Sequence, residues 1–457
     1  MTEQVIRGQW TSKFTFLMAA IGSAVGLGNI WRFPFLAGEN GGSAFMLTFL
    51  ISTLLMGMPV LIAELALGRM GGGSPIHSLR MIVRRNASPK FWNLIGILSS
   101  CCAFLILSYY CVIGGWSLRY LFIALSNGFA AINNQQSADL FNNFTADPMS
   151  MTLWHTIYIL VNALIVFGGL RNGIEKSVTI LMPMLFLLLF ALVIYATWMP
   201  GFERGFDFLF RPDFSKLSYV SILSAIGQSF FALSIGMGAM IMYGAYLDKD
   251  TNIPSCAFVI TIADVLVAVM AGLAIFPLVF SFGLEPSAGP GLLFITLPIA
   301  FGQMGLGGVV FGVAFFLLVS IAAITSSISM VEVIVVRLEE RFGFARLRAT
   351  ALVGAAAWFV GLSSVFSFNL WSDFHPLAPL GILTTGTIFT IIDSFCSNLL
   401  IPVTALLVCL YMGWVLARPV VVGALGTENA VLFAIWRGLL RFVAPVGVIL
   451  ILVLALL

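Results

Sequence analysis

Charged residues are the scarcest class in this sequence. Only 9% of its 457 residues are Asp, Glu, Lys or Arg, and 60% are hydrophobic, whereas about a quarter of a soluble domain is usually charged. The mean hydropathy is +1.07. This composition excludes a string of soluble domains and indicates an integral membrane protein with many helices. The net charge of +3 is too small to indicate a nucleic-acid partner.

Cysteine and histidine are also rare, with six and three residues. Four of the cysteines lie in long apolar runs and are expected to pack as small hydrophobic side chains: Cys101, Cys102, Cys111 and Cys409. The histidines are scattered at predicted helix ends: His77, His155 and His375. The sequence has no metal-type spacing of Cys with His, no ATP-binding loop and no catalytic set, so we predict that it is not an enzyme.

Long apolar runs organise the rest of the chain. A bilayer crossing needs about 20 apolar residues, and on this basis we predict an all-α membrane protein with 11 transmembrane helices. The predicted segments are 14–36, 44–68, 92–125, 155–170, 176–199, 219–246, 254–281, 305–337, 347–366, 380–412 and 430–456. The first of them carries a charge and continues into functional-looking sequence, so no cleavable signal peptide is expected.

The distribution of basic residues predicts the orientation. With a cytoplasmic N-terminus, all but five of the 22 Lys and Arg residues fall on the cytoplasmic side or its membrane boundary. This asymmetry obeys the positive-inside rule. We therefore expect a multi-pass protein of the plasma (inner) membrane, surrounded by the lipid bilayer, whose C-terminus is extracellular.

Two of the predicted helices are interrupted by weak helix formers. The first contains IGSAVGLGNIWRFP, Ile21 to Pro34, and the sixth contains GQSFFALSIGMGAMIMYG, Gly227 to Gly244. Each glycine costs about 1 kcal/mol relative to alanine inside a helix, so these clusters favour unwound turns. The alternative is that Gly22 and Gly26 only let two helices pack closely.

An unwound turn inside a membrane has a chemical consequence. It frees backbone groups that lipid cannot satisfy, so it must be lined by protein and filled by a polar ligand. Half-helix N-termini attract anions, and half-helix C-termini with freed carbonyls attract cations. Interrupted segments at corresponding positions of two halves indicate a transporter site. Helices 1 and 6 would each open a five-helix repeat.

Four motifs carry a family resemblance: AVGLGNIWRFP, ENGG, GQSFFALSIGMG and AAITSSIS. Together they resemble the neurotransmitter:sodium symporter family, in particular its bacterial amino-acid branch, in which some members have eleven helices. The resemblance implies a 5+5 inverted repeat with unwound helices 1 and 6. The repeats would occupy 1–200 and 201–415, with helix 11 added at 416–457. Sodium ions and substrate would bind near the membrane midplane.

The resemblance implies a first sodium site at the Ala24 carbonyl, the Asn29 side chain, Ala232 and Asp264. Ala232 stands where Thr or Ser is usual, so only its carbonyl is available, and Asp264 stands where Asn is usual. A midplane carboxylate is costly and normally faces an ion or a partner. We favour a carboxylate ligand; the alternative is a protonated Asp264 bonded to a neighbouring helix.

The same comparison predicts chloride independence. Chloride-dependent relatives hold the anion with hydroxyl-bearing side chains, which add negative charge beside the first sodium. Here Phe49, Ala232 and Ala268 occupy those positions, although Gln228 remains. The Asp264 carboxylate is expected to supply the negative charge instead.

The second sodium site implied by the resemblance consists of five residues. They are Gly22, Val25 and Ala322, through their carbonyls, with Thr325 and Ser326. Thr and Ser often bond the preceding turn of a membrane helix, so these hydroxyls alone are weak signals. Opposite a broken helix they become strong ones. An all-oxygen set suits a hard monovalent cation without distinguishing sodium from lithium.

In the family, backbone amides of the unwound helix 1 and a tyrosine hydroxyl bind the substrate carboxylate. The implied substrate residues are Ala24, Leu27, Gly28, Ile106, Tyr110, Phe231, Ala232, Ser234, Met237, Ser326 and Met330. None is charged, so a charged substrate side chain would be buried unpaired. Gly26 stands where amine-transporting relatives carry an acidic residue. We expect a hydrophobic L-amino acid, with large and aromatic ones tolerated.

Gates and a helix break complete the implied machinery. The outer gate would pair Arg32 with Asp393 above a Phe231 lid. The inner gate would pair Arg7 with Glu340, supported by Trp10 and Tyr246; the alternative for Arg7 is a plain topology signal. Gly173 and Pro183 match a pattern that unwinds helix 5, or else form an ordinary proline kink. Glu64 is expected to satisfy backbone freed in helix 1, and Glu332 has no evident partner.

The sequence thus predicts a sodium-coupled symporter that imports hydrophobic amino acids by alternating access. The main alternative is a proton- or sodium-coupled carrier of small amines such as tryptamine. A second alternative is a channel or a transport-dead sensor. The preferred amino acid, the sodium stoichiometry, proton antiport and the oligomeric state are left open.

Overall fold

The computed structural model describes residues 8–286, 291–381, 383–426 and 429–456. In these ranges every regular element is a helix, as predicted. Nine helices of the described chain are long and apolar enough to cross a membrane, and two shorter ones form a tenth crossing that is bent by 47°. We number the membrane helices in chain order. They are α1 (Lys13–Ala24 and Gly28–Glu39), α2 (Ser43–Gly71), α3 (Lys90–Leu125), α4 (Pro148–Phe167), α5 (Leu170–Thr197), α6 (Tyr219–Ala232 and Ala239–Ala245), α7 (Ile253–Ser281), α8 (Leu306–Phe342), α9 (Arg346–Phe366), α10 (Ile388–Val415) and α11 (Ala430–Val453).

The break in α1 lies where the sequence clusters its glycines. Val25 leaves the helix with an extended backbone (φ −73°, ψ 93°), and its amide donates to the Ile21 carbonyl at 2.6 Å. A wide π-helical turn over Gly28–Arg32 then leads into the second half. Pro34 lies at the start of the α-helical part of that half, directly after the π-helical turn. The predicted interruption of helix 1 is confirmed.

The break in α6 is longer. Its two helices, of 14 and 7 residues, are separated by a turn in which the backbone is left-handed at three positions. These are Ser234 (φ 53°), Gly236 (φ 79°) and Gly238 (φ 72°). Glycine adopts this conformation without the steric cost that a Cβ imposes. Because α6 is divided into short pieces, length and hydropathy count ten crossings in the described chain, and a count of eleven stays a prediction.

Close packing of α2 against the second half of α6 fixes the region around this break. A Cβ at Gly68 would lie 1.9 Å from the Ile241 carbonyl oxygen, and a Cβ at Gly244 would lie 2.3 Å from the Leu65 carbonyl oxygen. Only glycine permits the two backbones to approach so closely. In the core beside them, the long helices α3 and α8 pack along one another.

Several short helices lie outside the predicted crossings. They are Pro75–Arg85, Asn134–Ala146, Phe202–Phe210, Leu292–Gln303 and Arg418–Leu425. The sequence assigned these stretches to loops because each is too short or too polar to cross a bilayer. The helix α10 begins at Ile388, several residues after the predicted start, since a turn-rich stretch precedes it. The repeat boundaries at 200 and 415 stay predictions.

Candidate functional site

The break in α1 faces a tyrosine and a serine from the long core helices. The Leu27 amide donates to the Tyr110 hydroxyl oxygen at 3.1 Å, and Tyr110 is buried. A Cβ at Gly26 would lie 2.8 Å from the same hydroxyl oxygen and 2.9 Å from the Ser326 hydroxyl oxygen. The structure therefore brings together three of the predicted substrate residues, and it places them around the residue that must be small.

Three buried side-chain oxygens beside this break accept no hydrogen bond in the described chain. Asn29 Nδ2 donates to both the carboxylate and the carbonyl of Asp264, at 2.8 and 2.9 Å, and Gln228 Nε2 donates to the Gly28 carbonyl at 2.7 Å. In the part of the chain that the structure describes, Asn29 Oδ1, Asp264 Oδ2 and Gln228 Oε1 are buried with no hydrogen-bond partner. Buried oxygens without donors fit a cation, so this donor set suits sodium.

The positions expected to hold chloride in relatives are filled by hydrocarbon. Phe49, Ala232 and Ala268 are fully buried and belong to one hydrophobic cluster. The ring of Phe33 lies 5.0 Å from that of Phe49 in the same cluster. Ala232 has no side-chain oxygen, so only its backbone carbonyl is available to a cation.

The second predicted sodium site gathers α1, α5 and α8. A Cβ at Gly22 would lie 3.1 Å from the Thr325 Cβ and 2.9 Å from the Met182 sulfur. Thr325 donates its hydroxyl hydrogen to the carbonyls of Ile321 and Ala322, at 3.0 and 3.2 Å. Its oxygen lone pairs stay available to a cation. The two halves of the predicted ligand set are thus adjacent.

A serine cluster behind the break was missed by sequence reasoning. Ser234 and Ser326 both donate to the Ser23 carbonyl, at 2.7 and 3.1 Å, and the Ser23 hydroxyl donates to Ser329 at 2.8 Å. This carbonyl belongs to the turn before the break. The hydroxyl of Ser234 is engaged by the α1 backbone, and its role in selecting the substrate side chain stays a prediction. Ser23 lies inside the quoted glycine-rich motif, which was the available signal.

The predicted apolar wall is present around the same centre. Ile106, Met237 and Met330 are buried in the main hydrophobic core, and Phe231 packs against that core while partly exposed. Gly28 allows this arrangement, since a Cβ there would lie 3.1 Å from the Phe231 ring. All these lining side chains are uncharged.

Glu64 serves a different break from the one predicted. Its Oε1 accepts a hydrogen bond from the Gly236 amide at 2.8 Å, in the turn of α6. The expectation that Glu64 satisfies helix 1 is therefore wrong. The physical reason is the close approach of α2 to the second half of α6, which the sequence spacing alone does not reveal. Glu64 Oε2 is buried and has no hydrogen-bond partner in the described chain.

The outer gate pair is bridged by a serine. Arg32 donates to the Ser397 hydroxyl at 3.5 Å, and that hydroxyl donates to the Asp393 carboxylate at 3.3 Å. The Arg32 guanidinium also lies 4.5 Å from the centre of the Phe231 ring, a cation–π contact. Arg32, Phe231 and Ser397 border a cavity of about 230 Å³ that also contacts Gln228. Ser397, one turn after Asp393, was not identified from the sequence.

On the opposite side, Arg7 lies outside the described residues. Its predicted partner Glu340 accepts hydrogen bonds from the amide and the hydroxyl of Ser74. Trp10 donates from its ring nitrogen to the Tyr243 carbonyl at 3.1 Å and contacts the Tyr246 ring edge-on, with centroids 5.9 Å apart. Trp10 and Tyr246 are both buried, so this end of the bundle is closed.

The structure supplies the missing partners of Glu332. The Tyr246 hydroxyl donates to its carboxylate at 2.7 Å, and Arg346 at the start of α9 pairs with it directly. Arg346 also contacts Glu339 at 3.3 Å. These contacts join α6, α8 and α9 below the broken helices. Sequence reasoning did not identify this pair, because Glu332 and Arg346 lie on different helices.

The helix α5 is helical at both positions predicted to unwind it, Gly173 and Pro183. Gly173 lies in a wide π-helical turn over Leu170–Glu175, and Pro183 lies inside the continuous helix that follows. The carboxylate of Glu175 accepts hydrogen bonds from the amide and hydroxyl of Thr11, at 2.7 and 3.0 Å. Unwinding of this turn therefore also requires release of the segment that precedes α1.

Comparisons with known proteins agree with this geometry. A family model described as "Sodium:neurotransmitter symporter family" matches residues 7–143 and 145–457. The chain belongs to the sodium:neurotransmitter symporter family. Membership makes it a multi-pass, sodium-dependent symporter rather than an enzyme.

The relatives of this symporter extend over its whole length. It is 37% identical over 446 residues to the sodium-dependent transporter YhdH of Bacillus subtilis, covering 97% of this chain and 96% of that one. It is 34% identical to a sodium-dependent transporter of Haemophilus influenzae, covering 97% of each chain. The crystal structure of MhsT in complex with L-phenylalanine matches 98% of the symporter with a TM-score of 0.90 and 37% identity.

Proposed function

We propose that this symporter imports hydrophobic L-amino acids together with sodium. The observation that carries the proposal is the hydrogen bond between the Leu27 amide and the Tyr110 hydroxyl beside Gly26. A substrate carboxylate accepts from an amide and a hydroxyl at once, and both donors lie at a half-helix N-terminus that favours an anion. The structural neighbour MhsT, which was solved with L-phenylalanine, supports a substrate of this class.

The apolar wall argues for a hydrophobic side chain. Ile106, Met237 and Met330 offer no partner for a charge, and a buried unpaired charge is very costly. Methionine side chains adapt to different shapes, which suits large and aromatic substrates. Gly26 leaves no room for the acidic side chain that would bind a substrate lacking a carboxylate, since even a Cβ would meet Tyr110 and Ser326.

We propose two sodium sites for this transport. The first uses the Asn29 and Asp264 oxygens with the Ala24 and Ala232 carbonyls, and the substrate carboxylate completes it. The second uses the Gly22, Val25 and Ala322 carbonyls with Thr325 and Ser326. Support for the first is the set of buried oxygens that lack donors. Support for the second is the contact of Gly22 with Thr325 across the break.

Transport is further proposed to be independent of chloride. The hydrophobic cluster around Phe49, Ala232 and Ala268 offers an anion no hydrogen-bond donor. The Asp264 carboxylate, 2.8 Å from the Asn29 amide, supplies a negative charge in the same place. A fixed carboxylate and a bound chloride are equivalent to the neighbouring cation, so one replaces the other.

The proposed cycle follows from the two ends of the bundle. With the N-terminus in the cytoplasm, the Arg32–Ser397–Asp393 cavity opens outward, and the Trp10, Tyr246 and Glu332 contacts close the cytoplasmic end. Sodium and substrate would bind from outside, and Phe231 with Arg32 would close above them. Release inward would follow the loss of the second sodium through the turn at Gly173, below Pro183.

Uptake into proteoliposomes tests the proposal. We expect radiolabelled leucine, phenylalanine and tryptophan to accumulate under an inward sodium gradient, equally in chloride and in gluconate, and not under a potassium gradient. Tryptamine, which lacks the carboxylate that completes the first sodium site, should compete poorly. Uptake that follows a pH gradient without sodium, or efficient competition by tryptamine, would favour the amine carrier. Sodium flux far above substrate flux would indicate a channel.

The Tyr110→Phe variant is expected to weaken substrate binding without unfolding the protein. It removes one hydrogen bond to the carboxylate, and a hydrogen bond to a charged group contributes about 1.5–3 kcal/mol. The KM for leucine should therefore rise by roughly 10- to 100-fold. Tyr120→Phe, on the same helix, is the matched control, because Tyr120 Oη is buried and has no hydrogen-bond partner in the described chain. Equal effects of the two changes would contradict the assignment.

A further inference from the structure

A second cavity, of about 430 Å³, lies away from the transport site. It is bounded by the end of α2, the short helix Pro75–Arg85, the loop after α6 and the short helix Arg418–Leu425. The charged side chains that line it in the described structure are all cations: Arg69, Arg85 and Lys249. The remaining lining is mostly apolar. A cavity with this composition suits a ligand that is negatively charged at one end and hydrocarbon at the other.

Arg69 sets the depth and rigidity of the cavity. Its guanidinium is half-buried and donates only to carbonyls: to Ala424 at 2.9 Å and to Thr251 at 2.5 Å, with Asp248 and Lys249 at 3.2 and 3.3 Å. Carbonyls fix the side chain without neutralising it. Among the described carboxylates none forms an ion pair with Arg69, although Asp248 and Asp250 lie exposed on the same loop. The positive charge is therefore held in place without a direct ion pair.

The other two cations stand at the rim. Arg85 donates to the Met70 carbonyl at 3.0 Å, which holds its guanidinium over the end of α2. Lys249 is exposed on the loop after α6. A phosphate group that enters between them meets charge from three sides. Such a convergence binds a phosphate more strongly than scattered surface lysines do.

The surroundings place this cavity at the level of lipid headgroups. The helix Pro75–Arg85 begins four residues after α2 ends, and it buries Leu79 and Ile82 while Arg80 and Arg84 remain exposed. Its apolar face packs against the protein, and its exposed basic face is available to the anionic headgroups of an adjacent leaflet. Met70, Ile82 and Val420 line the cavity on its apolar side. An acyl chain can cover these side chains, whereas free phosphate cannot.

We propose that this cavity binds the phosphate headgroup of an anionic phospholipid from the cytoplasmic leaflet. The proposal rests on the proposed orientation, which places these helix ends at the leaflet that carries anionic lipid. A bound headgroup joins the end of α2, the loop after α6 and the helix before α11. The end of α2 and the loop after α6 both adjoin helices that lie at the α6 break. The bound lipid therefore stabilises one arrangement of the broken helices.

The test is native mass spectrometry of the purified symporter in detergent, titrated with dioleoylphosphatidylglycerol and dioleoylphosphatidylethanolamine. We expect selective binding of phosphatidylglycerol. The double variant Arg85→Gln with Lys249→Gln should lose roughly 25-fold in affinity, because each cation near a lipid headgroup contributes about fivefold. The matched control is Arg80→Gln with Arg84→Gln, on the exposed face of the same helix, which should change affinity by less than about threefold.

Glycerol 3-phosphate distinguishes a lipid from a soluble phosphate. If it displaces phosphatidylglycerol at equal concentration, the phosphate source is soluble and the lipid assignment is wrong. Equal binding of the two phospholipids, or an equal loss in the control variant, overturns the proposal. Thermal unfolding measured without lipid verifies that both double variants are folded. Lys249→Gln alone, a change at an exposed residue, should still lower the affinity for phosphatidylglycerol about fivefold. Binding measured in detergent does not depend on how the protein is oriented in a membrane. The orientation is tested separately, by labelling the N-terminus in sealed vesicles.

Discussion

The Asp264→Asn variant is expected to lose sodium-driven uptake at physiological sodium concentration. Asp264 Oδ2 is buried without a hydrogen-bond donor, and Oδ1 accepts from Asn29 at 2.8 Å. Breaking a buried ion pair by removing one partner costs about 3–5 kcal/mol, which corresponds to a fall in sodium affinity of at least about 100-fold. The measurement is leucine uptake as a function of sodium concentration.

Chloride should not restore the variant. Phe49, Ala232 and Ala268 carry no hydroxyl that could hold an anion, so uptake should be equally low in chloride and in gluconate. Asp250→Asn, in the exposed loop after α6, is the matched control and should behave as wild type. Unchanged sodium dependence in Asp264→Asn would favour a protonated side chain bonded to a neighbouring helix. Recovery in chloride would show that the cluster admits an anion after all.

The Gly68→Ala variant is expected to be strongly destabilising. Its new methyl group would lie 1.9 Å from the Ile241 carbonyl oxygen and 2.8 Å from the Ala245 amide nitrogen, both backbone atoms. Neither can rotate away, so α2 must separate from the second half of α6. Overpacking typically costs about 1–3 kcal/mol, and we expect this contact to exceed that range. The measurement is the thermal unfolding midpoint of the purified protein.

A control substitution at another glycine is expected to leave stability unchanged or to increase it. A Cβ at Gly438 in α11 meets nothing within 4 Å, so Gly438→Ala should be neutral or stabilising by up to about 1 kcal/mol through helix propensity. Separation of α2 from α6 in Gly68→Ala should also disturb the Glu64 contact with Gly236, and uptake should fall with stability. Equal midpoints for the two variants would mean that the helices are less closely packed than the structure indicates.

The structure brings parts of the predicted site together where those parts belong to local motifs. The glycines of α1 and α6 were located from sequence because their helix-breaking effect is local. Tyr110 and Asp264 were assigned through the family resemblance, and the structure places Tyr110 beside Leu27 and Asp264 beside Asn29. The resemblance carried these pairings because its motifs preserve spacing along each helix.

Contacts between distant helices were the ones that sequence reasoning missed or misplaced. Glu64 was assigned to α1 and binds α6, and Ser397 was not identified. Each depends on which residues of two helices face one another. A period of 3.6 residues defines the face of a helix, but nothing in a uniformly apolar sequence states which neighbour that face meets.

By itself the sequence determined that the chain is a helical membrane protein and where its helices break. These properties follow from local chemistry, namely hydropathy over about 20 residues, glycine propensity and isolated polar groups. Only the tertiary structure decided that Ser397 bridges Arg32 to Asp393, that Arg346 pairs with Glu332, and that Arg69, Arg85 and Lys249 share a cavity. These arrangements depend on the approach of helices from distant parts of the chain, which is fixed by side-chain packing over the whole bundle.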